Sequence, residues 1–393
     1  MYLHIDCNTF FASCEVATRE GLAGKPVVVA NENENGGGII LALTPEAKAL
    51  GLKRGIPLFQ VRNLIKLNEV IVCPVDHKKY RRISHQIMEA VQQQEIVQDF
   101  VQYSVDEFFG ELPLDDPHEL RRYAQKVKDL IYDTTHIPVS CGCSQSYTLA
   151  KVATHYAKHY KGYGGICVLT PENREKALSM LEIADVWGIG RKYRKKLTDM
   201  GILTALDFVG LDEKMVGKIL STPGVKTWRE LRGIPSIDLH RPDRQRSISQ
   251  SRTFAYMTDD VATLEHEIRS YASECAAKLR RQGSVCRTVT VFLSTNRHRE
   301  DLDQYRNGES VKLTSPTSDT PSLVKAALAL LHSLFRKGFL YKQAGVILSD
   351  ISEVEGMQLD LFTEPHDEKK RKLMQIADEI NKKFGDNTVN FLK

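Results

Sequence analysis

The sequence lacks three features that would indicate a membrane, zinc-binding or secreted protein. No apolar run reaches the ~18 residues needed to cross a bilayer. The eight cysteines are scattered without a CxxC pair, so we expect reduced thiols rather than a structural zinc site. Residues 1–6 contain no basic stretch, and we therefore expect no signal peptide and a cytoplasmic location.

A strong excess of charge of one sign is also missing. The chain has 54 Lys and Arg against 50 Asp and Glu, a net charge of +4. Residues 241–350 nevertheless carry 17 basic and 12 acidic side chains, whereas residues 1–177 are nearly neutral. The basic later part fits binding to a phosphate backbone, and a solvated basic surface explains it equally well.

Hydrophobic periodicity predicts a multidomain α+β protein. At ~100–200 residues per domain, 393 residues allow two to four domains. Outside an insertion at residues 20–75, the first 170 residues have the predicted order β-α-β-β-α-β, a split βαβ layer. The order βαββαβ recurs over residues 247–351, and residues 178–233 between the two layers are predicted to be helical. The proline-containing polar segment 235–244 is the predicted linker.

Three acids are candidates for a metal site. Asp6 ends the first predicted strand, and Asp106 and Glu107 lie at the turn of a predicted hairpin. Adjacent strands of one sheet could bring these carboxylates together, and hard oxygen ligands suit Mg²⁺. Two Mg²⁺ ions could then assist phosphoryl transfer. Taken singly, an acid at a strand end is usually a cap and Asp-Glu in a turn is usually solvated.

Short motifs along the chain resemble those of Y-family translesion DNA polymerases. The segments IDCNTFFASCE at residues 5–15 and YSVDE at residues 103–107 are similar to the two metal-binding motifs of that family. Four further segments resemble the UmuC-like branch of that family: EAKALG at 46–51, DVWGIGR at 185–191, RELRG at 229–233 and KQAGV at 342–346. The resemblance extends from residue 1 to about residue 362, and the order and spacing of the motifs make it specific.

The resemblance implies a right-handed polymerase with a domain layout that spans the chain. The implied domains are a split-βαβ palm (residues 1–20 and 75–170), small fingers (21–74), a helical thumb with a helix–hairpin–helix (171–234), a βαββαβ little finger that binds DNA (242–351) and a C-terminal tail (352–393). The implied function is template-directed, error-prone translesion synthesis without proofreading, in the SOS response to DNA damage.

The acids receive roles from this resemblance. Asp6, Asp106 and Glu107 would be the catalytic carboxylates. Together with the backbone carbonyl of Cys7 they would hold two Mg²⁺ ions.

The resemblance also implies which residues bind the incoming dNTP. Phe11 matches the steric gate that excludes a ribose 2′-hydroxyl, and Phe10 beside it is expected to be a core residue at the nucleotide pocket. Lys48 and Lys158 would bind the triphosphate. Lys151 is expected to be a solvated surface charge. The chain departs from the common family pattern before Lys48, where Pro45 replaces a tyrosine.

Basic residues mark the expected contacts with primer–template DNA. Gly188 and Gly190 allow close approach of a phosphate, and Arg191 and Lys192 begin the helix that follows. Arginines of the little finger are expected to contact phosphates as well. They are Arg241, Arg244, Arg246 and Arg252 near the first strand of that domain, and Arg280, Arg281 and Arg287 around the next turn.

The C-terminal tail contains a pentapeptide similar to the peptide with which bacterial polymerases bind the β sliding clamp. Its contact residues would be Gln358, Leu359, Leu361 and Phe362. Residues 366–385 are predicted to form an amphipathic helix. The resemblance implies that a processed UmuD dimer and RecA are further partners, and that the protein is associated with the nucleoid.

Two other functions remain open at this point. A non-catalytic DNA-binding subunit could recruit partners to the clamp, and the departure at Pro45 keeps that alternative open. The three acids could instead support phosphodiester hydrolysis by two metal ions. With a labelled primer–template, polymerase, scaffold and nuclease predict lengthening, no change and shortening, respectively.

Overall fold

The computed structural model describes residues 1–31, 38–94, 97–240, 244–353, 368–384 and 388–389. Its contacts divide the chain into two compact units, Met1–Pro242 and Asp243–Lys393. None of the helices in these described ranges is long and apolar enough to cross a membrane.

The first unit mixes strands and helices. Its described strands are β1 (Tyr2–Cys7), β2 (Val27–Ala30), β3 (Ile40–Leu43), β4 (Ile71–Pro74), β5 (Gln98–Gln102), β6 (Glu107–Glu111), β7 (Val139–Ser144) and β8 (Ile166–Val168). Its described helices are α1 (Phe10–Thr18), α2 (Pro45–Ala49), α3 (Arg62–Leu67), α4 (His77–Gln92), α5 (Pro117–Thr135), α6 (Tyr147–His159), α7 (Pro171–Met180), α8 (Arg191–Thr198), α9 (Ala205–Val209) and α10 (Glu213–Leu231).

Strand β1 lies at the centre of a five-stranded sheet with the order β5-β6-β1-β7-β8. It pairs antiparallel with β6 and with β7, and β8 runs parallel to β7. Leu3 and Ile5 of β1 are fully buried in the main core. Because side chains alternate along a strand, His4 and Asp6 lie on the opposite face, where both contact residues of α6.

Helix caps and apolar stripes explain where the helices beside this sheet begin and pack. The carboxylate of Asp76 accepts hydrogen bonds from the first backbone N–H groups of α4, and Asp116 does the same for α5. The apolar side chains along one face of α4 are buried in the main core. They are Tyr80, Ile83, Ile87 and Val91.

The insertion and the helical segment of the first unit have hydrophobic cores of their own. A small sheet with the order β3-β2-β4 lies in the insertion, and all four residues of β2 are buried. Helices α7–α10 enclose a second small core that includes Leu197, Phe208 and Trp228. The segment predicted to be helical is therefore confirmed.

The second unit contains β9 (Ile248–Thr258), α11 (Val261–Arg281), β10 (Ser284–Thr295), β11 (Arg306–Thr317), α12 (Thr320–Leu334), β12 (Tyr341–Glu353) and α13 (Glu368–Phe384). Its antiparallel sheet has the order β11-β10-β12-β9, and α11 and α12 pack against it. This arrangement confirms the predicted βαββαβ order.

Helix α13 buries Met374 and Ala377, and its Asp378 pairs with Arg280 of α11. Both carboxylate oxygens of Asp378 accept hydrogen bonds of 2.7 Å from Arg280. The guanidinium of Arg280, an expected DNA contact, is thus paired with an acid 98 residues away. The predicted clamp-binding residues 358–362 lie outside the described residues.

Candidate active site

The three predicted acids lie at one end of two neighbouring strands. Asp6 of β1 and Glu107 of β6 are direct partners in the antiparallel register. Asp106 immediately precedes β6, and its backbone carbonyl accepts a 2.9 Å hydrogen bond from the backbone N–H of Cys7. The structure therefore brings together the two segments that carry the acids.

Each acid has a donor partner in this structure. Lys158 Nζ donates to Asp6 Oδ1 at 2.7 Å, and Lys151 Nζ donates to Glu107 Oε1 at 2.5 Å. The hydroxyl of Ser104 donates to Asp106 Oδ1 at 2.6 Å. The expectation of a solvated Lys151 is wrong, because only 16% of its side chain is exposed. Lys151 lies seven residues before Lys158 on α6, so both lysines face the acid-bearing sheet.

The donor chemistry of the acids fits a divalent cation that prefers oxygen. Their side chains offer carboxylate oxygens, which are hard ligands of the type that Mg²⁺ binds. Within the described residues, no group of three or more His, Cys, Asp or Glu side chains is arranged to hold a metal ion. Positive charge from two lysines instead offsets the repulsion between the carboxylates.

His4 is a neighbour of the acids that no sequence motif singled out. Its Nδ1 lies 2.9 Å from the hydroxyl oxygen of Thr154 on α6, and its Nε2 lies 3.4 Å from Glu107 Oε1. Burial lowers the pKa of His4 below its ordinary value, which favours a neutral ring. The available signal was its position two residues before Asp6 on a strand, which places both side chains on the same face.

The environment of Glu107 keeps this carboxyl group ionised. Burial by itself raises its pKa, but the contacts with His4 and Lys151 outweigh that effect and lower the pKa to about 2. Glu107 is therefore a carboxylate at neutral pH.

The aromatic pair after Asp6 separates into a core residue and a residue at the edge of the core. Phe10 is buried in the main core, as expected. Phe11 is only partly buried, and its ring stacks on that of Tyr80 with centroids 4.4 Å apart and planes 18° apart. Tyr80 thereby supports Phe11 from α4.

A buried carboxylate anchors Tyr80. Glu15 of α1 is fully buried, and its Oε1 accepts a 2.7 Å hydrogen bond from the Tyr80 hydroxyl. Its Oε2 accepts from Lys79 Nζ at 2.7 Å and lies 2.9 Å from Arg19 Nε. Glu15 had no predicted role, although an acid four residues after Phe11 lies on the same side of a helix.

The remaining predicted nucleotide residue lies in the insertion. Thr44 is the N-cap of α2, and its hydroxyl oxygen accepts from the backbone N–H of Ala47. Lys48 is exposed in the last turn of this five-residue helix. Among the contacts of the described residues, none joins Lys48 to the three acids.

The two glycines before α8 differ in what the fold requires of them. Gly188 has φ +88°, and a Cβ there would lie 2.8 Å from the hydroxyl oxygen of Thr227. Gly190 is the N-cap of α8 at φ −77°, and a Cβ there would have no atom within 4 Å. The positive φ at residue 188 requires glycine. Gly190 is not required in this way, and it leaves open space next to the exposed Arg191 and Lys192.

Two of the predicted arginines around β9 have carboxylate partners within the second unit. Arg244 pairs with Glu353 at 2.5 Å, and Arg252 pairs with Glu274 at 3.2 Å. Arg246 is exposed.

Three family models match segments of the chain. Residues 5–155 match the impB/mucB/samB family, residues 171–202 match the IMS family HHH motif, and residues 245–361 match the C-terminal domain of the impB/mucB/samB family. Protein UmuC of Salmonella typhimurium (strain LT2) is 32% identical over 397 residues, which cover 100% of this chain and 93% of the relative. Protein MucB of Escherichia coli is 32% identical over 387 residues, which cover 98% and 90%.

Solved structures match the fold. A Y-family DNA polymerase chimera of Dbh and Dpo4 gives a TM-score of 0.69 at 22% identity and covers 90% of this chain and 99% of the other. The insertion ternary complex of Dbh DNA polymerase gives a TM-score of 0.55 at 22% identity, with the same coverage. The fold is that of a Y-family DNA polymerase.

The relatives define the protein more closely. The chain belongs to the impB/mucB/samB family, and it is a UmuC-type, DNA-directed DNA polymerase of the translesion class.

Proposed function

We propose that this polymerase carries out error-prone translesion synthesis by nucleotidyl transfer with two Mg²⁺ ions. The observation that carries the proposal is the pairing of Asp6 with Glu107 in the sheet, with Asp106 adjacent and Lys158 in contact. A carboxylate cluster next to a lysine is suited to a reaction in which a highly charged nucleotide loses pyrophosphate.

Asp6, Asp106, Glu107 and the backbone carbonyl of Cys7 would hold the two ions. When bound, the ions would activate the primer 3′-hydroxyl toward the α-phosphate and stabilise the leaving pyrophosphate. Ionised Glu107 is ready to bind a cation without losing a proton. Lys158 would exchange its bond to Asp6 for contact with the triphosphate, because its flexible ammonium group is already at the site.

Phe11 would discriminate between deoxyribose and ribose. Its ring is held from behind by Tyr80 and therefore cannot retreat readily from a 2′-hydroxyl. Phe10 would support this pocket from the core, and Lys48 of α2 would contact the triphosphate from the insertion.

Contacts with primer–template DNA would be independent of sequence. Gly188, Gly190, Arg191 and Lys192 would bind phosphate at the start of α8, where backbone N–H groups and basic side chains coincide. In the second unit, Arg246 is exposed, whereas Arg244 and Arg252 would have to exchange carboxylate partners for DNA phosphates.

The cellular role would be synthesis past damaged bases in the SOS response, without proofreading, in the cytoplasm at the nucleoid. Its partners would be a processed UmuD dimer, in keeping with the relative named UmuC, and RecA, as the motif resemblance implies. Recruitment to the β sliding clamp would use Gln358, Leu359, Leu361 and Phe362.

Primer extension tests the central proposal. Wild-type protein with Mg²⁺, dNTPs and a labelled primer–template should lengthen the primer, whereas Asp106→Ala should not. Glu111→Gln is the matched control, because Glu111 lies at the other end of the same strand, β6. If the wild-type protein fails to extend, the assay is repeated with the clamp, UmuD-like and RecA partners. Failure even then would contradict catalysis and favour the non-catalytic scaffold.

A further inference from the structure

Lys151 has an unusual environment for a lysine that binds a catalytic carboxylate. Its ammonium lies 4.9 Å from the ring centroid of Tyr103, 5.1 Å from that of Trp187 and 5.6 Å from that of Phe109. Each ring attracts a cation over its face, and the attraction is greatest for tryptophan and for desolvated groups. These three rings, here called the aromatic box, hold the ammonium next to Glu107.

The aromatic box joins two distant parts of the first unit. Tyr103 and Phe109 belong to the β5–β6 hairpin that also carries Asp106 and Glu107. Trp187 precedes α8, and its indole N–H donates a 3.2 Å hydrogen bond to the Tyr103 hydroxyl. The box is therefore held together without Lys151 and offers the ammonium favourable contacts that do not depend on Glu107.

We propose that Lys151 is a displaceable counter-ion, which neutralises Glu107 in the metal-free enzyme and keeps its contacts with the aromatic box when a divalent cation displaces it from Glu107. The inference rests on the proposed function, because it takes Glu107 as a metal ligand. An ammonium 2.5 Å from Oε1 and a divalent cation on the same carboxylate repel each other strongly. The three rings stabilise the displaced charge, so the side chain need not leave the site.

Two consequences are measurable without catalysis. Lys151 competes with the cation, so removal of its charge should strengthen divalent-cation binding about tenfold. Movement of the ammonium against the indole should also change the fluorescence of Trp187. The chain has only two tryptophans, so Trp228→Phe isolates the emission of Trp187.

The experiment uses Ca²⁺ as the probe, with the full chain in the Trp228→Phe background and without DNA or nucleotide. Affinity is obtained from the rise of the melting temperature with Ca²⁺ concentration. Lys151→Met should bind Ca²⁺ about tenfold more tightly, and its emission should no longer respond to Ca²⁺. Lys126→Met is the matched control and should behave like the parent, because Lys126 also lies over a ring, 5.0 Å from that of Tyr123. Lys151→Gln, which retains a donor for Glu107, provides a second variant if Lys151→Met does not fold.

Unchanged or weaker Ca²⁺ binding by both Lys151 variants would overturn the inference, as would an emission response that persists without the ammonium. Primer extension by the same parent protein separates the two proposals. Extension together with unchanged Ca²⁺ affinity would refute only the counter-ion role. Absence of Ca²⁺ binding, together with no extension even when the clamp, UmuD-like and RecA partners are added, would refute the proposed function and this inference with it.

Discussion

Replacement of Glu15 by glutamine should destabilise the first unit and loosen the support of Phe11. Glu15 is fully buried, and three side chains meet its two carboxylate oxygens: Lys79, Arg19 and Tyr80. Glutamine has nearly the same shape but no charge, so the change removes the electrostatic partner without leaving a cavity. Lys79 is affected most, because only 14% of its side chain is exposed.

The magnitude follows from the exposure of each partner. Loss of one member of a buried ion pair typically costs about 3–5 kcal/mol. Arg19 is 45% exposed and can be solvated in the variant, so its share is below about 1 kcal/mol. The hydrogen bond from Tyr80 to a charged acceptor is worth about 1.5–3 kcal/mol. We therefore expect a cost of about 3 kcal/mol for Glu15→Gln, and less than about 1 kcal/mol for the control Arg19→Gln.

Urea denaturation followed by tryptophan fluorescence measures this cost, because Trp187 and Trp228 both lie in the first unit. Tyr80→Phe and the double variant complete a mutant cycle, in which the two changes should be coupled. Glu15→Gln should also lower the preference for dNTP over rNTP. A Glu15→Gln protein within about 1 kcal/mol of wild type, with additive effects in the cycle, would refute the reasoning.

Further results are expected at four places in the molecule: the aromatic ring after Asp6, the two glycines before α8, Glu107 and the C-terminal tail. Phe11→Ala should admit ribonucleotides, and an unchanged ratio of kcat/KM for dNTP and rNTP would contradict the steric gate. Gly188→Ala should cost about 1–2 kcal/mol of stability in thermal unfolding, because φ is +88° and the new Cβ would clash with Thr227. Gly190→Ala should preserve stability but weaken DNA binding measured by fluorescence anisotropy. Equal DNA affinity of this variant and the wild type would argue against a phosphate contact at Gly190. Glu107 has a pKa of about 2 against an ordinary 4.5. The contribution of its ionised form to the stability of the folded protein should therefore be complete above pH 4.5 and lost as the pH falls toward 2. The free energies of unfolding of wild type and Glu107→Gln, measured with urea, should converge over that pH range. A constant difference between them would contradict the lowered pKa of Glu107. Leu361→Ala combined with Phe362→Ala should abolish clamp binding in surface plasmon resonance but retain distributive synthesis, and intact clamp affinity would refute the tail peptide.

Much of the fold was predictable because it depends on short stretches of sequence. The caps at Thr44, Asp76 and Asp116 and the apolar face of α4 follow from residues within one or two turns of a helix. The segments that carry Asp6, Asp106 and Glu107 resemble family motifs, so these candidate residues can be selected from the order of amino acids alone.

The partners of the acids depend on tertiary structure. The ion pairs join residues that are far apart in the sequence: Lys151 and Glu107 are 44 residues apart, Lys158 and Asp6 are 152 apart, and Arg280 and Asp378 are 98 apart. Local periodicity carries no information on such pairs. In a helical pattern both lysines are simply polar positions, and the pattern does not show whether a carboxylate from another segment lies beside them. Sequence alone thus determined the elements and the chemically suitable residues. The packing of α6 on β1 and of α13 in the second unit decided which charges are buried together, because that choice depends on contacts between segments far apart in the chain.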